Sequence, residues 1–274
     1  MDSSHIDWNR IWNDKLAEVS GRHHNKERWD HYASKYDQWS GNDNLPEQVL
    51  PLLDVRPSDK LLDIGCGSGA LALPLARRVA AVTALDPSAA MLDLLRRKTR
   101  RLGLRNIDCL EMPWQAVRPE QNLAPHDVVL ASRSLGLTDI REQLLKMHHL
   151  AKRSVYLVWR LGLRPLDALV HRHLARPYHE YPGTDILYNL LHQLGFHARQ
   201  NVLRVRQAVG FADLADAVAH FRWKIGDLTP AEEIKLEAFL AGYLEKTLNR
   251  GLQSRQLVSR WALLGWHKEE YREK

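Results

Sequence analysis

Leu62-Asp63-Ile64-Gly65-Cys66-Gly67-Ser68-Gly69 closes a short apolar run that begins at Lys60 and opens an amphipathic stretch that reaches Val79. Three glycines within five positions, where a strand turns into a helix, remove the side chains that would hold a ligand away from the backbone. The helix start behind them offers free N–H groups. Outward from this junction, residues 81–86 read as a second strand, and 21 residues separate Gly65 from the carboxylate of Asp86 at its end. An acidic side chain at that separation is placed to accept both hydroxyls of a ribose.

The rhythm continues along the chain. Residues 60–64, 81–86, 106–110, 127–131, 154–160 and 197–206 read as strands. Between them, 69–79, 88–102 capped by Gly103, 139–151, and 184–194 closed by Gly195 read as helices, the first bent by Pro74. Strands that alternate with amphipathic helices predict an α/β fold with a mostly parallel sheet covered on both faces. Residues 211–249 break the pattern: they read as helical, with a Thr229-Pro230-Ala231-Glu232 start signal and no strand, before a seventh strand at 257–267. The predicted organisation is an aromatic-rich N-terminal helical cap (1–44), a core (45–206), a helical insertion placed to act as a lid (207–254), and the last strand with a C-terminal tail (255–274).

With 45% hydrophobic and 26% charged residues among 274, the composition is that of an ordinary globular protein. No run approaches 18 apolar residues, and Met1-Asp2-Ser3-Ser4-His5 lacks the basic flank and apolar stretch of a signal peptide, so the expectation is a cytoplasmic protein without a membrane span. Two cysteines, Cys66 and Cys109, exclude a disulfide scaffold and a thiolate zinc site. Adjacent His148 and His149 point apart on a helix, and His171 and His173 have no matching carboxylates, so no metal is expected. The net charge of +6 permits a polyanionic partner without requiring one. The basic run Arg96, Arg97, Lys98, Arg100 and Arg101 reads as a solvated face near a helix C-terminus.

A nicotinamide cofactor competes for the glycine loop, because Gly65, Gly67 and Ala70 also satisfy a dinucleotide pattern. Asp63 decides against it. A carboxylate at the strand end repels an arriving pyrophosphate and attracts the ammonium group of an amino acid. A cofactor with an amino-acid end and a ribose end fits S-adenosylmethionine better than NAD.

At these residues the chain resembles the class I, Rossmann-like S-adenosylmethionine-dependent methyltransferases, in particular their small-molecule branch. Residues 62–69 resemble that family's first motif, Leu85-Asp86-Pro87-Ser88-Ala89-Ala90-Met91-Leu92 its second, and Asp127-Val128-Val129-Leu130-Ala131-Ser132 its fourth. The upstream Trp29-Asp30-His31-Tyr32-Ala33-Ser34-Lys35-Tyr36-Asp37-Gln38-Trp39 is similar to the aromatic helix with which many members cover the cofactor. The resemblance implies that Asp63 and the backbone of Gly65, Cys66, Gly67 and Gly69 hold the methionine end. It implies that Asp86 holds the ribose, with Pro87, Met91, Ser132 and Tyr36 nearby. Glu111-Met112-Pro113-Trp114 would flank the adenine, with either Glu111 as the acidic contact or Trp114 as a stacking ring; Trp114 as plain core is the competing reading.

The fourth strand ends in Ala131-Ser132-Arg133-Ser134, which lacks the Asn/Asp-Pro-Pro-aromatic signature of amino-group nucleic-acid enzymes. A catalytic cysteine, an acidic metal pair and a paired-glutamate loop are missing as well. Displacement at a sulfonium needs alignment more than it needs a base, so no catalytic residue is demanded. The candidates are Ser132, Arg133 and His179, the last beside a loop that borders the mouth. Arg133 and Arg160 would clamp an anionic acceptor, with Tyr32 beside it. The leading expectation is methyl transfer to a small, anionic metabolite by a monomer or homodimer. An RNA methyltransferase and a non-catalytic regulator that binds the cofactor remain open.

Overall fold

The computed structural model describes residues 5–20, 26–40, 43–247 and 251–268; of 20, 28, 32 and 37–40 it describes the backbone only. Its frame is a seven-stranded sheet of β1 (Lys60–Ile64), β2 (Ala81–Asp86), β3 (Ile107–Glu111), β4 (His126–Ser132), β5 (Ala151–Arg160), β6 (Arg199–Gln207) and β10 (Leu257–His267). The spatial order is β3-β2-β1-β4-β5-β10-β6. β10 runs antiparallel to both β5 and β6, and the remaining pairs are parallel. The chain moves outward from β1 to β3 and then crosses back to β4, so the carboxyl ends of β1 and β4 flank the switch point where open α/β sheets bind ligands. Central strands such as Leu61-Leu62-Asp63-Ile64 are buried on both faces, which is why they read as unbroken apolar runs. β6 buries only Leu203 and Val205.

One face of the sheet is covered by α1 (Trp8–Ser20), α6 (Ile140–Leu150) and α8 (Thr184–Gln193), packed around Trp12, Leu144, Leu187 and Trp266. The other carries α3 (Leu45–Val49), α4 (Ala72–Leu75) and α5 (Ala89–Arg101) around Leu45, Leu75 and Leu92. α2 (Lys26–Ser40), α7 (Pro165–His173), α9 (Leu214–Ile225) and α10 (Pro230–Tyr243) share a third apolar cluster centred on Phe221, Val170 and Leu240. α5 starts on the Ser88 side chain, which accepts the Met91 N–H, and Gly103 follows its end at φ +66°. No helix among the described residues is long and apolar enough to cross a membrane.

Three departures from the predicted elements have physical causes. The helix expected over 69–79 contracts to the single turn α4, because Pro74 has no N–H and the bonds from Arg77 and Arg78 shorten to the i−3 pattern. α7 was not predicted, although Pro165 occupies its first turn. The insertion contains α9 and α10, with the Thr229–Glu232 capping box formed as expected. It also contains a three-stranded antiparallel sheet, β7 (Gly210–Phe211), β9 (Leu252–Gln253) and β8 (Glu245–Lys246), where no strand was expected. Two-residue strands are too short to show a period.

Candidate cofactor and acceptor site

The glycine loop leaves β1 in a conformation that side chains resist. Gly65 sits at φ +67°, and a Cβ there would lie 2.4 Å from the Cβ of Ser134. Ser134 cannot retreat, since its hydroxyl donates to the Ile64 carbonyl at 2.6 Å. Gly67 sits at φ +53° with nothing within 4 Å of where its Cβ would stand. The first glycine is forced by packing, whereas the second leaves open room for a ligand to approach the backbone.

Asp86 clasps this loop from β2. Its carboxylate accepts the Gly67 N–H at 2.8 Å and the Ser88 N–H at 2.9 Å, which leaves lone pairs for ribose hydroxyls. Burial pushes its carboxyl up from the ordinary value, and the two N–H bonds pull it partly back. Asp63 is more extreme. It is 2% exposed and makes no hydrogen bond or ion pair among the described residues, so burial, reinforced by Asp86, raises it to about 7. A buried carboxylate without a partner is the arrangement an incoming ammonium would relieve. The Cys66 thiol is pushed well up by burial and by Asp63 and Asp86, which leaves it a poor nucleophile.

α2 ties the cofactor half to the insertion. Asp30 accepts the Ser88 hydroxyl at 2.6 Å and the Ala90 N–H at 3.2 Å, so it caps α5 from outside. Lys26 pairs with Glu111 at 2.8 Å, which occupies the proposed adenine acid from the α2 side. Further along, Lys35 pairs with Asp216 of α9 at 3.2 Å, and Trp29 packs edge-on to Tyr36 and to Trp223. Tyr36 therefore belongs to the apolar cluster under the insertion and lies near Arg133. The Tyr32 side chain falls outside the described residues. Asp30 and Ser134 escaped the sequence reading, because no motif spacing marks a residue that acts on a loop from a distance in the chain.

Around the adenine position, Met91 is buried at the start of α5, Pro87 is half-buried, and the Met112 N–H donates to the Asp86 carbonyl. Trp114 is 3% exposed, and the Lys146 ammonium lies 4.6 Å from its ring centroid. That packing fits the core reading, while its indole N–H, which has no partner among the described residues, is the side-chain polar atom it could offer a ligand.

At the expected acceptor end, the Ser132 hydroxyl is buried and has no hydrogen-bond partner among the described residues. Arg133 adopts φ +62°, and its guanidinium pairs with Asp43 at 2.5 Å, so its charge is already balanced. Arg160 lies over Tyr181 at 5.0 Å and Trp261 at 5.6 Å. Trp159 faces the opposite side of the sheet, where it packs against Trp12 and donates to the Pro182 carbonyl. His179 is exposed, with its Nδ1 3.5 Å from Glu18 on α1, and no contact among the described residues joins it to Ser132 or Arg133. His148, tempting as a metal ligand in sequence, stacks on Phe196 and accepts the Trp266 N–H, and burial lowers it to about 4. Among the described residues no group of three His, Cys, Asp or Glu side chains could hold a metal.

A methyltransferase-domain family model matches residues 61–154. An uncharacterized protein of Haemophilus influenzae is 31% identical over 225 residues, 81% of each chain. The chain belongs to the class I, Rossmann-like S-adenosylmethionine-dependent methyltransferases. This methyltransferase shares its fold with the BH2331 protein of Bacillus halodurans, at 13% identity and a TM-score of 0.54 over 82% of this chain and 99% of that one. It also shares it with the YcgJ protein of Bacillus subtilis, at 14% identity and a TM-score of 0.52 over 81% and 97%. The 23S rRNA (uracil(1939)-C(5))-methyltransferase RlmD of Pectobacterium carotovorum is 31% identical over 124 residues, which cover 42% of this chain and only 26% of that enzyme. The predicted α/β class, with seven mostly parallel strands, matches the structure.

Proposed function

We propose that this methyltransferase transfers the methyl group of S-adenosylmethionine to a small, anionic metabolite by in-line displacement. The observation that carries the reading is the roof over the acceptor half: α2 and α9 are joined by Trp29, Trp223 and the Lys35–Asp216 pair. A roofed mouth suits an acceptor that enters whole rather than a base presented on a strand.

The residues present fit the cofactor. Asp63, buried without a partner, would hold its ammonium; the open side of Gly67 would let its methionine end approach the backbone; Asp86 would hold its ribose. When bound, S-adenosylmethionine supplies a methyl group already activated by a positively charged sulfur. What the chain must add is alignment and exclusion of water, which can provide most of the rate without a positioned base. Nothing about His179 gives it that task, and Ser132 is better placed to touch an acceptor because it ends β4 at the switch point. Residues 207–254 act in this reading as the lid.

An RNA acceptor is the second reading, favoured by the partial likeness to RlmD and by exposed Arg97, Arg100 and Arg101 on α5. Calorimetry with S-adenosylmethionine, S-adenosylhomocysteine and NAD tests the cofactor site: micromolar binding of the two adenosyl compounds alone is expected, and binding of NAD alone overturns it. Methyl-labelled cofactor then divides the acceptors. Label in the small-molecule fraction of an extract supports a metabolite; label in RNA, with retention on RNA that falls steeply with salt, replaces it. Tight cofactor binding without turnover on any extract would instead point to the regulator.

A further inference from the structure

Two guanidinium groups approach the Trp261 indole, Arg133 at 5.7 Å and Arg160 at 5.6 Å, yet they differ in one respect. Arg133 has its counter-charge in Asp43. Among the described residues Arg160 makes no ion pair, and its Nε is buried without a hydrogen-bond partner, although rings lie against it from Trp261 and Tyr181. A guanidinium taken out of water without a carboxylate is costly unless something else satisfies it.

Its surroundings add positive charge. Arg164 precedes α7 and Lys224 comes from α9, and both lean on Asp167 of α7, at 3.8 Å and 2.7 Å. Among the described residues Asp167 is the one carboxylate paired within this cluster of three cations. Burial lowers Lys224 to about 8 despite Asp167, and burial followed by Arg164 lowers Arg160 to about 10. Burial would raise the Asp167 carboxyl, but Lys224 and Arg164 outweigh it and hold the group well below its ordinary range. Three cations against one paired carboxylate leave the cluster with an excess of two positive charges.

The position is as telling as the charge. Arg160 is the last residue of β5, at the carboxyl edge beside β4, and Lys224 reaches the cluster from the insertion. Solvent still reaches it, since the Arg164 side chain is 39% exposed. We propose that Arg160, supported by Arg164 and Lys224, is the anion subsite of the acceptor pocket and takes a carboxylate or phosphate group of the methyl acceptor. This deepens, and rests on, the small-acceptor reading, but it assigns the anion to Arg160 and removes Arg133 from the clamp. A guanidinium fork with a free edge is suited to donating two parallel hydrogen bonds to one oxyanion. The roof then does more than exclude water, because it brings in the third cation.

The test uses the full chain, with and without saturating S-adenosylhomocysteine, titrated with inorganic phosphate, benzoate and the neutral benzamide. Calorimetry reads the binding, and tryptophan fluorescence, to which Trp261 beside Arg160 contributes as one of nine tryptophans, gives a second signal. Saturable binding of phosphate or benzoate to the S-adenosylhomocysteine complex is expected, with none for benzamide; the preferred probe tells a phosphate-bearing acceptor from a carboxylate-bearing one. In Arg160→Gln the oxyanion affinity should fall at least about tenfold, while S-adenosylhomocysteine binds as before. If Arg160→Gln does not fold, Arg160→Lys is read instead, since it keeps the charge but loses the fork, and a loss of about fivefold is expected. Absence of saturable oxyanion binding, or unchanged affinity in the folded variant, overturns the proposal. So does oxyanion binding that vanishes when S-adenosylhomocysteine is present, which would give Arg160 to the cofactor's own carboxylate. No methyl transfer is measured, so label found in RNA would defeat the metabolite reading without deciding this result.

Discussion

The two halves of the sheet's carboxyl edge are built by different means. At β1 and β2 the geometry resides in the backbone: positive φ at Gly65 and Gly67, and N–H groups of Gly67 and Ser88 turned onto Asp86. At β4 and β5 it resides in side chains brought from far along the sequence, with Asp43 on Arg133, Tyr181 and Trp261 on Arg160, and Lys224 beside Asp167. Backbone demands admit few residue types, whereas a side-chain pocket can be assembled in many ways. In the proposed reading the first half therefore reports the cofactor and the second the individual acceptor.

The sharpest way to break this contrast is to place the same side chain at two glycines. Gly65→Val should fail to fold, because its Cβ would meet Ser134 at 2.4 Å in a backbone region that resists β-branched residues. Gly67→Val faces open space and should fold with a loss of about 1–2 kcal/mol for its left-handed conformation. Its isopropyl group would fill the room for the cofactor and weaken S-adenosylhomocysteine binding by more than about 100-fold. Melting curves and calorimetry read the two effects separately. Cofactor binding retained in Gly67→Val would show that the loop is structural and that the site lies elsewhere.

A smaller effect of mixed sign is expected at Asp63. Its carboxyl ionises near 3.8 when unfolded and about 7 when folded, so the stability it contributes is full below the lower value and is lost as pH rises through the upper one. Asp63→Asn should therefore melt higher than the parent at pH 8 and no higher at pH 3.5. The gain is at most about 4 kcal/mol, each kcal/mol being worth about 2–4 °C. The same substitution should weaken S-adenosylmethionine, because the ammonium loses its counter-charge. In the parent, affinity should fall up to about tenfold for each pH unit below 7, since binding selects the ionised carboxylate. A variant that is neither more stable at pH 8 nor weaker in binding would show that Asp63 is satisfied by a partner.

How much of this was legible in the sequence follows the same division. β1, β2 and β10 fall on their predicted residues, and Asp86, which the spacing singled out for a ribose, accepts the Gly67 N–H of the glycine loop, a contact the spacing did not announce. α7 was missed, since its nine residues show their apolar face only once Leu166 and Val170 pack under the insertion. Arg133 and Arg160 looked alike as arginines ending neighbouring strands. Only Asp43, 90 residues before Arg133, separates their roles, and no periodicity announces a contact across that distance.

The smallest effects test the bridge between the halves. Asp30 caps α5 through the Ser88 hydroxyl and the Ala90 N–H, in a half-buried place. Lys26 reaches Glu111 with both side chains nearly half exposed, at 49% and 44%. Asp30→Ala should lower stability by about 1 kcal/mol, as a lost cap does. Because α2 would loosen over the loop proposed to hold the cofactor, S-adenosylhomocysteine release followed by stopped flow should also quicken several-fold. Lys26→Ala should change neither, since solvent screens an exposed pair and ordering two long side chains offsets its attraction. Equal effects from the two would mean that α2 is held by charge spread along its length. Cofactor release would then depend on ionic strength, and the cover helix would belong with the side-chain half of the molecule rather than with the backbone-built loop beneath it.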